Sequence, residues 1–148
     1  LKLHDIPTTV QRASRVLGAL GVRYVTMHAH GGVPMLKAGV EGLAEGAANA
    51  GLAQPWSLAV TVLTSDADAP AHIMPKRVML AAEAGCTGIV CAAADLKDAH
   101  SYAPRLKRVV PGIRRLTAER RPELLEQARQ AGKLSRADQT FLRSSKKL

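Results

Sequence analysis

Two short segments near the amino terminus concentrate side chains that could do chemistry. Lys2, His4 and Asp5 lie within four residues, and His28 and His30 are separated by a single alanine. A lysine ammonium can stabilise a developing negative charge or donate a proton, and carboxylates close to it can hold that charge in place. Two imidazoles at alternate positions of a strand share one face, as paired metal ligands do. These segments predict either acid–base chemistry or a metal site.

Two further segments add hydroxyl groups and a guanidinium. Thr64 and Ser65 end one apolar run, and Arg114 follows another that ends at Pro111 and Gly112. In proteins with parallel sheets, reactive groups collect at the carboxyl ends of the strands, where the loops that lead into the helices converge. We therefore expect all four segments to lie at the same end of one sheet.

The elements that would position these segments alternate along the first 114 residues. Apolar runs predict strands over residues 1–4, 22–29, 56–64, 88–92 and 106–110. Apolar residues at helical spacing predict helices over residues 7–20, 35–50, 73–84 and 95–102. Strands that are continuously apolar and separated by helices are typical of parallel βαβ units. The predicted fold class is α/β.

The length of the repeat favours a barrel. Five predicted strands within 114 residues give roughly 25 residues per unit, close to the unit of a (β/α)8 barrel of about 250 residues. This chain would then supply little more than half of one barrel. A flavodoxin-like doubly wound sheet also uses five strands and is the structural alternative.

Composition narrows the class of protein. The 148 residues are 47% hydrophobic, which supports one globular core and excludes a disordered chain. No apolar run reaches the roughly 18 residues that a membrane span requires. Cys86 and Cys91 are too few for a disulfide framework or a four-ligand metal site, so they favour a reducing, cytoplasmic setting.

Four motifs carry a resemblance to a known family. Residues 2–9 (Lys-Leu-His-Asp-Ile-Pro-Thr-Thr), 25–32, 60–65 and 110–114 resemble bacterial orotidine 5'-phosphate decarboxylase in order and spacing. The resemblance implies a homodimer of (β/α)8 barrels that converts orotidine 5'-phosphate to uridine 5'-phosphate and carbon dioxide in pyrimidine biosynthesis. It implies a carboxy-lyase with no cofactor and no metal. This chain would cover about strands three to seven of the barrel.

The same resemblance assigns roles around the first motif. Lys2 matches the signature lysine, which would stabilise the carbanion at C6 and then protonate it. Asp5 matches the second signature aspartate, which reaches into the site of the partner subunit together with the residues at Ile6 and Thr9. His28 matches a position that faces the barrel mouth and has a supporting role.

The later motifs would bind the rest of the substrate. Thr64 and Ser65 would lie beside the pyrimidine at the end of their strand. Arg114 would hold the phosphate, for which the planar guanidinium fork is suited. All of these residues are implied by the resemblance.

The sequence also departs from the family. It starts too late for the first signature aspartate and for strands one and two with the second active-site lysine, and it lacks strand eight with its Gly-Arg phosphate clamp. Thr8 stands where the family commonly has asparagine. We therefore expect a fragment or truncated product with little or no decarboxylase activity of its own.

Residues 115–148 form a second predicted region, a basic helical or disordered tail with 9 basic and 4 acidic residues. A non-catalytic basic binding module is accordingly one alternative function. Nucleic acid is not the expected partner, because the tail has a single aromatic residue, Phe141, and no recognition motif. The other alternative is a metal-dependent, amidohydrolase-like barrel that uses His28 and His30.

Overall fold

Parallel strands alternate with helices throughout the part of the chain that the structure describes. A computed structural model describes residues 1–63, 66 and 69–111. The strands are β1 (Lys2–Leu3), β2 (Tyr24–His28), β3 (Trp56–Val60), β4 (Gly88–Val90) and β5 (Lys107–Val109). The α-helices are α1 (Pro7–Ala19), α2 (Gly32–Asn49), α3 (Ile73–Glu83) and α4 (Leu96–Tyr102), and short 3-10 helices over Ala29–Gly31 and Ala93–Asp95 precede α2 and α4. The predicted α/β class is confirmed.

The order of the strands decides between the two predicted architectures. The sheet runs β1-β2-β3-β4-β5, and every neighbouring pair is parallel. A flavodoxin-like sheet reverses its strand order at a switch point, and this sheet has no reversal. Right-handed crossovers that all step in the same direction place every helix on one face of the sheet, and successive helices contact one another. The arrangement is that of a partial (β/α)8 barrel.

The two faces of the sheet have different surroundings. Val25 and Met27 of β2 are buried, and a Cβ atom on Gly39 of α2 would collide with Met27 Sδ. This face therefore packs against the helices. Strand alternation and the parallel register place Lys2, Thr26 and Leu58 in one row on the opposite face, which is the interior of a closed barrel.

The two longest helices pack unusually close together. A Cβ atom on Gly42 or Gly46 of α2 would collide with a backbone carbonyl oxygen of α1, and one on Gly18 would lie 2.9 Å from the backbone nitrogen of Ala47. Only glycine allows this approach, so the α1–α2 pair forms a rigid support behind β1 and β2.

The predicted strands and α-helices all have the correct type, but most differ at their ends. α2 begins at Gly32, three residues before the predicted start. β3 ends at Val60 and not at Thr64, because the partner strand β4 ends at Val90. The backbone N–H of Thr61 donates the last backbone hydrogen bond between the two strands, to Val90 O.

Residues 115–148 lie outside the described part of the chain, so the boundary at residue 114 and the basic tail stay predictions. The residues up to Pro111 form one compact unit. Among the helices that the structure describes, none is long and apolar enough to cross a membrane.

Candidate active site

The carboxyl ends of β1 and β2 bring the first two reactive segments together, as predicted. Lys2 pairs in register with Thr26, whose hydroxyl donates a hydrogen bond to the carbonyl oxygen of Leu1. His28 is the last residue of β2 and lies two positions beyond Thr26 on the same face. Lys2 and His28 therefore lie on the same face of the sheet, with Lys2 one row before His28.

Three imidazoles meet at this end of the sheet. The ring of His4 lies 5.6 Å from that of His28 and 5.6 Å from that of His30, measured between ring centroids. His30 lies in the 3-10 helix that follows β2, and this turn brings its ring beside that of His4.

A guanidinium from a helix completes the cluster. Arg77 of α3 donates a hydrogen bond of 2.6 Å from Nη1 to the carbonyl oxygen of Thr61. Thr61 is itself held in place, because it is 2% exposed and its hydroxyl donates to Val90 O at 2.9 Å. Arg77 is thus fixed at the carboxyl end of β3. The prediction missed it because a rule based on strand ends does not select helical residues.

The charged groups near His28 in the described residues are all basic. Burial lowers the pKa of His28 below its usual value of 6.5, and the nearby His4, Lys2, Arg77 and His30 lower it further, in that order of size. Every titratable group in the described residues that acts on His28 is basic. The neutral imidazole is therefore favoured at neutral pH, in a region of positive potential. We use the name basic edge for Lys2, His4, His28, His30 and Arg77.

Asp5, Ile6 and Thr9 are exposed and follow β1 into the first turn of α1. The carboxylate of Asp5 accepts a hydrogen bond of 2.7 Å from the backbone N–H of Ile6. Among the described residues, neither Lys2 nor Asp5 takes part in an ion pair. The remaining predicted substrate residues, Thr64, Ser65 and Arg114, lie outside the described residues.

The geometry does not support the alternative of a metal site. β2 ends at His28, so strand alternation does not reach His30. Within the described ranges, no three histidine, cysteine, aspartate or glutamate side chains are grouped so that they could hold a metal ion.

Comparison with known proteins identifies the family. The model of the orotidine 5'-phosphate decarboxylase / HUMPS family matches residues 1–137. The chain belongs to this family. The match extends beyond Arg114, into the region that the sequence analysis assigned to a tail.

Relatives in the family are similar over most of this chain. An orotidine 5'-phosphate decarboxylase from Lactiplantibacillus plantarum is 39% identical over 132 residues, which cover 80% of this chain and 55% of that protein. The one from Bacillus pumilus is 41% identical over 128 residues, or 78% of this chain and 54% of the relative. The chain therefore spans about half the length of these relatives.

The fold agrees with solved structures. The crystal structure of orotidine 5'-phosphate decarboxylase from Lactobacillus acidophilus matches with a TM-score of 0.74 and 31% identity, and covers 89% of this chain and 61% of that one. An uncharacterized conserved protein from Geobacillus kaustophilus matches with a TM-score of 0.70 and 30% identity.

Proposed function

We propose that this chain is part of an orotidine 5'-phosphate decarboxylase, which converts orotidine 5'-phosphate to uridine 5'-phosphate and carbon dioxide without a cofactor. The observation that carries the proposal is the position of Lys2. It is the first residue of β1, lies on the interior face in register with Thr26 and acts on His28, within a chain that matches the family over residues 1–137. The reaction serves pyrimidine biosynthesis.

The chemistry proposed for Lys2 is electrostatic first and acid–base second. Loss of carbon dioxide leaves an electron pair on C6 of the pyrimidine, and an ammonium already fixed beside that carbon stabilises the developing charge. The same ammonium then donates its proton to C6, which completes the product. His28, two strand positions beyond the partner of Lys2, would border the ring as a neutral imidazole.

The remaining proposed contacts concern the rest of the substrate. Thr64 and Ser65 would contact the pyrimidine, and Arg114 would bind the phosphate as a fork of N–H donors. Binding at the phosphate, far from the reacting carbon, supplies energy that orients the substrate and excludes water.

We also propose that the protein acts as a homodimer in which Asp5 completes the site of the partner. Asp5 is exposed and is not paired with its own Lys2 among the described residues. The amino-terminal helix α1 and its two flanking residues leave apolar side chains uncovered, since Ile6 is 67%, Val16 60% and Leu20 69% exposed. Burying such side chains against a second copy is the usual way in which a homodimer forms.

A cytoplasmic location is part of the same proposal. The two cysteines, Cys86 and Cys91, are free and buried, as is usual for proteins of reducing compartments.

Turnover measurements test the proposal in two forms of the protein. The first is the chain alone, for which we expect little or no loss of orotidine 5'-phosphate absorbance. The second is a chimera in which residues 1–111 replace the matching segment of the Lactiplantibacillus plantarum relative. We expect the chimera to turn over the substrate, and Lys2→Ala to lower its kcat by at least about 10²- to 10³-fold.

An exposed lysine provides the matched control. Lys37→Ala removes a lysine of α2 that lies outside the basic edge, and we expect it to leave kcat unchanged. A folded chimera without turnover, or equal losses in the two variants, would contradict the proposal.

A further inference from the structure

The carboxyl end of β3 is held by a side chain from a helix. Thr61 follows the last residue of β3 and is 2% exposed. Its backbone N–H and its hydroxyl both donate to Val90 O, at 3.1 Å and 2.9 Å. Its carbonyl oxygen accepts the hydrogen bond of 2.6 Å from Nη1 of Arg77. Thr61 is therefore tied to β4 on one side and to α3 on the other.

The hydrogen bond from Arg77 is of a strong kind. A buried carbonyl oxygen requires a donor, because it has lost its contact with water. Here the donor is a guanidinium, and hydrogen bonds from ionised donors are shorter and stronger than those between neutral groups. Removal of the guanidinium would take this partner from the Thr61 carbonyl, so we expect the end of β3 to open more readily.

Helix α3 gives Arg77 a fixed base. Met74, Val78 and Ala81 of α3 are buried in the core, and Arg77 is half-buried beside them. Because the core is closely packed, the backbone of α3 cannot shift without disturbing these contacts. The packing of α3 therefore determines where the carbonyl of Thr61 is held.

This contact lies next to the proposed active site. Val60, the residue before Thr61, pairs in register with His28. Thr64 and Ser65, the proposed pyrimidine contacts, follow Thr61 in the sequence. Groups that contact a reacting substrate must be held to well under 1 Å, and a misplacement of about 1 Å can lower the rate about 10²-fold. The proposed chemistry therefore requires a fixed end of β3.

We propose that Arg77 is a positioning residue for the decarboxylation, and that its hydrogen bond to Thr61 fixes the carboxyl end of β3 in the place that turnover requires. The inference rests on the proposed function for the identity of the reaction, and on the contact between the two residues for the role of Arg77. Arg77 acts through the backbone of Thr61, so the role requires no contact between the guanidinium and the substrate.

Amide hydrogen exchange of the full chain tests the anchoring of β3 without turnover. In Arg77→Met we expect the Thr61 N–H to exchange about 10- to 10²-fold faster, because the loss of a charge-assisted hydrogen bond favours local opening. The Trp56 N–H, which donates to Arg23 O at the other end of β3, should keep its rate. A general loss of stability would accelerate both amides equally, so the contrast isolates the carboxyl end.

Kinetics of the chimera described above test the consequence for turnover. Arg77→Met should lower kcat by about 10- to 10²-fold with a smaller change in KM. Arg77→Lys should restore most of kcat, because its ammonium can still donate to Thr61 O. The loss should persist at pH 8, since burial and the other basic groups keep the pKa of His28 below its usual value with or without Arg77. This measurement separates the hydrogen bond from the effect of the charge on His28.

A neighbouring lysine provides the matched control. Lys76→Met removes an exposed positive charge from the same helix, and it should leave both the exchange rate of the Thr61 N–H and kcat unchanged. Arg77→Gln is a milder removal of the guanidinium, and it replaces Arg77→Met in both experiments if the methionine variant does not fold by circular dichroism.

Three results would overturn the inference: equal exchange of the Thr61 N–H in Arg77→Met and Lys76→Met, an unchanged kcat in Arg77→Met, or a rise in KM alone, which would make Arg77 a direct substrate contact. A folded but inactive chimera that retains Arg77 would instead reject the proposed function. In that case the exchange rates of the full chain decide whether Arg77 fixes the end of β3: local acceleration supports it, and unchanged exchange rejects it.

Discussion

Basic side chains have different surroundings at the two ends of the sheet. At the amino end, Lys107 Nζ lies 3.9 Å from the centre of the Trp56 ring, and Arg23 lies 5.7 Å from the centre of the Tyr24 ring. The two aromatic rings meet edge to face at 5.5 Å. At the carboxyl end, the basic groups gather around His28, and no described carboxylate acts on that imidazole.

This difference separates stabilising cations from those available to a ligand. A cation over an aromatic face gains attraction from the ring quadrupole and needs no further partner. Cations that lie close to one another repel, and they gain no electrostatic stabilisation unless an anion binds. We therefore expect substitutions at the amino end to change stability and substitutions at the carboxyl end to change binding.

The largest effect on stability is expected for Trp56→Ala. The half-buried indole packs against Tyr24 and lies beneath the ammonium of Lys107, so its removal should lower the free energy of unfolding by about 2–3 kcal/mol. Urea unfolding measures this loss. An unfolding free energy equal to that of the unchanged chain would mean that the indole contributes nothing to stability.

Lys107→Met should cost about 0.5–1 kcal/mol of unfolding free energy, since it keeps the apolar stem and removes only the charge over Trp56. Lys97→Met, at an exposed position of α4, is the control and should cost less. Equal urea midpoints for the two variants would mean that the contact with Trp56 contributes nothing.

Sequence alone could predict the elements and part of the site. Periodicity predicted the correct type for the five strands and four α-helices of residues 1–111 but not the two 3-10 helices, and the strand-end rule brought Lys2 together with His28. The position of Arg77 could not be predicted from the sequence, because its contact with Thr61 depends on how α3 packs over the end of β3.

The contacts between cations and aromatic rings at the amino end of the sheet were equally beyond prediction from the sequence. Gly88 stands between Lys107 and Leu58 in the sheet register. A Cβ atom on Gly88 would lie 3.0 Å from Lys107 Cβ and 3.1 Å from Leu58 Cδ2, so only glycine leaves the two side chains this close to each other. Spacing along the chain does not reveal such a register, so the contact between Lys107 and Trp56 could not be predicted from the sequence.

A smaller, pH-dependent effect is expected at the carboxyl end. The pKa of His28 is lowered in the folded chain, so the unfolded chain binds the proton first as the pH falls. The contribution of His28 to stability is therefore fully present above about pH 6.5, and it is lost as the pH falls through the folded-state pKa. Urea midpoints between pH 8 and 5 measure it.

A matched variant sharpens this prediction. His28→Gln should flatten the acid side of the stability profile, because it removes the group whose pKa is lowered in the folded chain. A profile that stays the same in His28→Gln would assign the acid sensitivity to other groups.

The smallest expected difference between the two ends concerns the reactivity of Cys86 and Cys91, the two thiols that flank β4. Burial raises the pKa of Cys86, just before β4, to about 11. Burial and the carboxylate of Asp95 raise that of Cys91, just after β4, to about 12. Both thiols are then almost fully protonated at pH 8, so iodoacetamide should modify both slowly in the folded chain, and Cys86 before Cys91. Peptide mapping of the alkylated chain measures the two rates, with the urea-unfolded chain as the fast control. Equal slow rates would mean that both thiols react only when the chain opens, in which case the carboxylate at the carboxyl end does not influence reactivity.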